Sequence, residues 1–204
     1  LPQINYFLEI DGNAQLKGAL IFSKGIVFKI PDHFTNVYGI WGAGSLKLQI
    51  GGNFTNEADC YSSKESLAVR AKSLTNKALL YGHQDSTIEL TQALVNTKTI
   101  GSGGDLNISG QSIQNQKGAY LDALGNLWIK VGGQLINTVG SLIAGSKMLL
   151  SAGTLINQRD GYHLQKTRWD DMVQLEEEVP NSPQGGMIQS QGDMRVDLTN
   201  LTNA

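Results

Sequence analysis

Asp85 and Asp105 come nearest, by type and spacing, to a reaction centre in this chain. They stand 20 residues apart, each just before a run of alternating apolar residues. If each such interval closes one coil, the two carboxylates stack. Glycoside hydrolysis needs two carboxyl groups about 5 to 9.5 Å apart in a cleft, and one strand spacing of about 4.8 Å reaches only the lower limit. Asp before a strand is an ordinary turn former, and later coils place Asn126, Lys147 and Asp193 at the same point. Turn formation is the stronger reading, and no enzyme activity is expected. Serine-hydrolase, P-loop and dinucleotide signatures are absent. His83 and His163 share a similar register four coils apart, roughly 19 Å, whereas zinc ligands sit within about 2.1 Å of the metal. His33 falls elsewhere, so no metal site and no cofactor are expected. Cys60, the single cysteine, aligns with apolar residues and reads as a buried, inert thiol.

The elements that would carry these residues come from a repeat. Asparagines recur at Asn36, Asn56, Asn76, Asn96, Asn115, Asn137, Asn157 and Asn203, with intervals of 20, 20, 20, 19, 22, 20 and 46. Two positions before each stands a large apolar residue: Phe34, Phe54, Leu74, Leu94, Ile113, Leu135, Leu155 and Leu201. Four positions after the first four anchors stand Ile40, Cys60, Leu80 and Ile100. A fixed period of this size marks a stacked repeat, in which each unit buries its apolar face only against its neighbours.

Each repeat opens with period-2 alternation, as in Leu46-Lys47-Leu48-Gln49-Ile50 and Leu127-Trp128-Ile129-Lys130-Val131. That is a strand with one buried face. A Gly pair, Gly51-Gly52 or Gly132-Gly133, breaks the strand and turns the backbone. A short second strand carries the apolar residue inward. The asparagine then suits a left-handed or tight-turn conformation, and asparagines at one corner of successive coils can form a hydrogen-bonded ladder. Helical repeats need 3.6-residue periodicity and few internal glycines; this chain has 24. A leucine-rich consensus is also missing. The expected fold is all-β: a right-handed parallel β-helix with coils of about 20 residues, rising about 4.8 Å per coil, roughly 40 Å over eight.

The interval of 46 exceeds one period by 26. A second landmark agrees: Gly140 follows Asn137 by 3 residues, and its counterpart Gly186 follows Asn157 by 29. The expected organisation is a degenerate opening coil or partial cap over 1–25, regular coils over 26–159, a looped-out insertion over 160–185, and a resumed coil over 186–204. Trp169, Met172, Leu175 and Val179 fit one face of a short helix with acidic residues near its start, and a β-hairpin arm fits equally. Insertions in solenoids often lie on a binding face, so Arg168, Trp169, Asp170 and Asp171 are candidate partner contacts, for a cell-surface receptor or glycan. A loop that merely covers the rod is the competing reading. A net charge of −2 gives no electrostatic case for nucleic acid or anionic membrane. No apolar run is long enough for a membrane-spanning helix.

Gly104-Asp-Leu-Asn-Ile-Ser-Gly-Gln-Ser-Ile-Gln-Asn115, Gly125 to Asn137 and Ser146 to Asn157 resemble filamentous-haemagglutinin repeats, which run approximately G-x-L-x-L-x-A-x-x-L-x-N-x-x-G-x-I. The resemblance covers about residues 26–157 and 186–203. It implies a structural rod segment within a large exoprotein exported by two-partner secretion in Gram-negative bacteria, an adhesin or contact-dependent growth inhibition toxin. It also implies neighbouring coils and an outer-membrane transporter as partners, and a secreted or cell-surface location. The N-P-N-G-I and N-P-N-L motifs of the family's secretion domain are not found, and no signal peptide or initiator Met is present; an internal segment of a longer protein is expected.

Overall fold

The structure, a computed structural model, describes residues 6–158, 165–169, 172–176 and 186–203. Three strands per coil stack in parallel to form a β-solenoid of about eight turns, and no helix occurs among the described residues. The opening strands stack from Tyr6–Glu9 through Ile26–Ile30, Leu46–Ile50 and Leu67–Ala71 upward. Short second strands, such as Phe34–Asn36 and Asn53–Asn56, form the second face. The third face is an eight-stranded sheet running from Leu20–Phe22 to Met187–Ser190.

Register follows the repeat residue for residue. Phe34 pairs with Phe54, Phe54 with Leu74, and so on to Leu135, Leu155 and Leu201. A slip of one residue would turn every inward side chain outward, so the alternation fixes the register. The core is one continuous column from Phe22 to Met194. Phe28, Phe34 and Phe54 are its largest members, with the Phe34 and Phe54 rings stacked at 5.4 Å and 9°. Leu201 holds its place in the column but is 45% exposed, on the last described coil.

Three features depart from the simple repeat. The eleven-residue strand Met148–Gln158 runs through the corner that the Gly pairs break elsewhere, joining the first and second faces into one path of strands. There Ala152 and Gly153 occupy the corner, and the strand after the insertion, Met194–Asn203, pairs along it in the same unbroken way. Residues before 26 pair in register with the coil above: Ala14 with Phe34 and Leu20 with Ile40. Leu8, Ile10, Ala14, Leu16 and Leu20 there are only partly buried against the core. Finally, of the two conformations allowed for the insertion, residues Gln165–Trp169 and Met172–Glu176 take antiparallel strands, Trp169 opposite Met172. Arg168 and Trp169 lie on the first of these. Asp170, Asp171 and His163 lie outside the described residues.

Candidate functional site

The most ordered polar chemistry of the molecule is inside it. Asn36 to Asn137 are fully buried and Asn157 nearly so, each at or near the end of a second-face strand. The Nδ2 of Asn36 donates to Oδ1 of Asn56 at 2.8 Å, and Asn56 donates in turn to Asn76 at 2.8 Å. The relay continues through Asn96, Asn115, Asn137 and Asn157 at 2.8–2.9 Å. All six links run the same way. The other amide hydrogen goes to a backbone carbonyl at the entrance to the third face: Ala58 at 2.7 Å for Asn36, Tyr120 at 3.0 Å for Asn96, and Gly140 at 3.0 Å for Asn137. Asparagine suits this position because its side chain both donates and accepts. Buried polar groups that would otherwise cost free energy become a satisfied chain. The ladder stops at Asn36, because the residue below it in register is Leu16.

The left-handed conformation allowed for the anchors is not theirs. Val139 (φ 53°) is the one non-glycine residue with positive φ among those described. The twist falls two or three residues beyond the anchor, at Gly39 (φ +106°), Gly118 and Val139. Gly39 also donates its N–H to Oδ1 of Asn36 at 3.0 Å. An added Cβ there would lie 2.1 Å from the Trp41 indole. Gly39→Ala is therefore expected to destabilise by at least 1 kcal/mol or so, readable as a shift in urea midpoint.

The acidic column proves to be a second ladder, on the outer corner. Oδ1 of Asp85 accepts the backbone N–H of Asp105 at 2.9 Å, and Oδ1 of Asp105 accepts that of Asn126 at 2.8 Å. Oδ1 of Asn126 accepts that of Lys147 at 3.1 Å, and the Lys147 ammonium reaches Asp193 at 3.4 Å. The Asp105 carboxylate also takes both its oxygens to the Asn126 amide. A Cβ at Gly125 would sit 2.4 Å from Oδ1 of Asp105, so glycine leaves room for the carboxylate. These groups cap coil-to-coil turns. Asp105→Ala should cost about 1–2 kcal/mol of stability through the lost caps, seen as a lower melting temperature.

A third ladder has a faint signature in the sequence. Where the third face turns into the next coil, the register runs Gly42, Ser62, Gly82, Ser102, Ala123, Ala144 and Ser190. The serines turn inward to backbone: Ser62 Oγ donates to the Gly44 carbonyl at 2.7 Å, and Ser190 Oγ to that of Ser146 at 2.6 Å. The sequence signal is a row of small residues six to eight positions after each of the first six anchors. Of the histidines, His33 binds a neighbouring turn, its Nδ1 accepting the N–H of Asn53 at 2.9 Å, and His83 is exposed. No grouping of metal-ligating side chains occurs among the described residues.

Cys60 stands between Ile40 and Leu80 in the core, with no exposed surface. Burial, and secondarily the charge of Asp59, push its thiol far above the ordinary range. The native thiol should resist a maleimide at neutral pH and react at the rate of global or sub-global opening. The raised value means that this contribution to stability is complete below about pH 8.5, where an unfolded thiol is still protonated. It declines as alkalinity ionises the unfolded thiol. Asp122, on the outward side of the third face, is also raised by partial desolvation.

A parallel solenoid held by inward amide and apolar ladders, with its polar corner groups engaged between coils, is a repeat rod. The family model described as Haemagglutinin repeat matches residues 42–128 and again residues 112–204, and the chain belongs to that family, an adhesin-type structural repeat typical of secreted cell-surface proteins. Comparison with curated proteins and with solved structures returns no match.

Proposed function

We propose that this chain is a length of the stalk of a secreted, cell-surface exoprotein of a Gram-negative bacterium, exported by two-partner secretion. Its role is to hold a recognition or toxic part away from the cell. The observation that carries this reading is the unbroken series of six asparagine links over seven coils, which serves stacking and leaves no amide of the ladder for a ligand. A stalk assembled coil by coil suits passage through an outer-membrane transporter, because each new coil completes its core on the one before. On this reading the structural residues are the anchors and their apolar partners two positions earlier. Adhesin and contact-dependent toxin are both compatible parents.

In the full-length exoprotein, in-phase deletion of residues 77–96 is expected to leave export, surface exposure and cell binding unchanged. Loss of cell binding with export intact would contradict a stalk role. The receptor or glycan reading of the insertion, through Arg168, Trp169, Asp170 and Asp171, is the second proposal. It rests on the antiparallel pair Gln165–Trp169 and Met172–Glu176, extra chain inserted between one coil and the next. It expects Trp169→Ala to weaken cell binding without changing the melting temperature.

A further inference from the structure

The three faces of the rod differ in what they turn outward. On the first face the outward rows hold Lys47, Arg70, Glu89 and Lys130, and Asp122 stands on the third. On the second face each coil turns out two side chains, one on either side of the inward apolar residue that precedes the anchor. From Asn53–Asn56 to Met148–Gln158 these are twelve positions over six coils, and none is charged. The two rows also differ in size. The row before the inward residue includes Ser73, Ala93 and Ser112, whereas the row after it is β-branched at Thr75, Val95 and Ile136. Register pairing keeps both rows straight from coil to coil.

Outward charges are what keep β-surfaces from pairing with one another, and this strip has none. Its rows repeat every 4.8 Å or so along the rod, a period matched position for position only by another stack of the same rise. A second copy of this chain supplies one. When two copies stand parallel about a two-fold axis along the rods, the smaller row of each faces the β-branched row of the other. Ala93 then meets Val95 of the second copy, and Ser73 meets Thr75 of the second copy. Small against larger is what interdigitating sheets about 10 Å apart require. Antiparallel rods would instead set β-branched row against β-branched row. Glu57 and Lys77, at the corner beyond, hold each other at 2.8 Å and serve as a charged rim.

We infer that the second face is a self-docking surface on which two copies pair side by side and parallel. The area sets the strength of the pair. Each outward position covers about 35 Å² of sheet, so the twelve give about 400 Å² per rod and about 800 Å² in the pair. Lasting interfaces bury about 1,200–2,000 Å², so two copies of this length exchange rapidly. Each further coil of the same kind adds about 140 Å², and about nine coils reach the lower figure. The pairing goes beyond the stalk reading, which needs stacking only within one rod, and stands without it.

The test mixes two populations of the whole chain at millimolar concentration. One carries a nitroxide on Asn53→Cys, and Cys60, with no exposed surface, stays unlabelled. The other is unlabelled at cysteine and enriched in nitrogen-15, so any paramagnetic broadening of its amide resonances is between copies. The expected result is strong broadening at Thr55 and Thr75, much less at Ile156 five coils higher, and none at Thr87 on the first face. Val95→Lys and, separately, Ala93→Glu in both populations should abolish the broadening with an unchanged circular dichroism spectrum. Thr87→Lys should leave it in place. No broadening in the parent chain, equal broadening at Thr55 and Ile156, or broadening that survives both second-face charges would each overturn the proposal. The parent-chain result decides by itself should a charged variant fail to fold.

Discussion

Asn96→Ala is expected to lower stability by about 2–5 kcal/mol, a large effect for a side chain with no catalytic duty. Asn96 is fully buried. It accepts from Asn76 at 2.9 Å, donates to Asn115 at 2.8 Å and donates to the Tyr120 carbonyl at 3.0 Å. Alanine leaves the Asn115 oxygen without its donor and the Tyr120 carbonyl with one donor fewer, and takes away the acceptor of one Asn76 hydrogen bond. Each buried group left unpaired costs about 1–3 kcal/mol. Urea unfolding followed by far-ultraviolet circular dichroism reads this directly. Because contacts in a solenoid run only between neighbours, the transition should also broaden or split as the coils on either side decouple.

Asn96→Asp separates hydrogen-bond geometry from charge. Its carboxylate would accept but not donate, in a fully buried site. The carboxyl's folded pKa would therefore be raised, and the variant should be most stable in acid and weaken as the pH rises through that value. If the variant were equally stable at pH 3 and pH 7, the buried relay would not be the source of the effect.

Leu135→Asp carries the second large expected effect. Leu135 has no exposed surface and sits between Ile113 and Leu155 in the column. A carboxylate there would have no partner, and the cost exceeds about 4 kcal/mol, so the coils around it should not form. Ile136, the next residue, points the other way and is half-buried. Ile136→Asp should cost about 1 kcal/mol or less. Comparable unfolding by the two variants would contradict the inward and outward alternation.

The coil was legible in the sequence because every repeat restates the same constraint. The Phe34, Phe54, Leu74, Leu94 series fills one position of one narrow core, and its register needs no information from elsewhere in the chain. Corner geometry was less legible. Asparagine tolerates left-handed backbone and also pairs side chain to side chain, and composition alone does not choose between these. The structure places the amide inward and gives the left-handed turn to Gly39, Gly118 and Val139. The unbroken strand Met148–Gln158 depends on pairing with both neighbouring coils, which no local signal encodes.

Deleting one coil tests the account most directly. Removing residues 77–96 takes out one period and joins Asn76 to Thr97. The ladder should close again, giving a folded rod shorter by about 4.8 Å, with a melting temperature close to that of the parent. Removing only 77–86 leaves a half coil that cannot stack in register and should lower the melting temperature and β-signal well below those of the whole-coil deletion. In-register stacking would be contradicted if the whole-coil deletion unfolded as completely as the half-coil deletion.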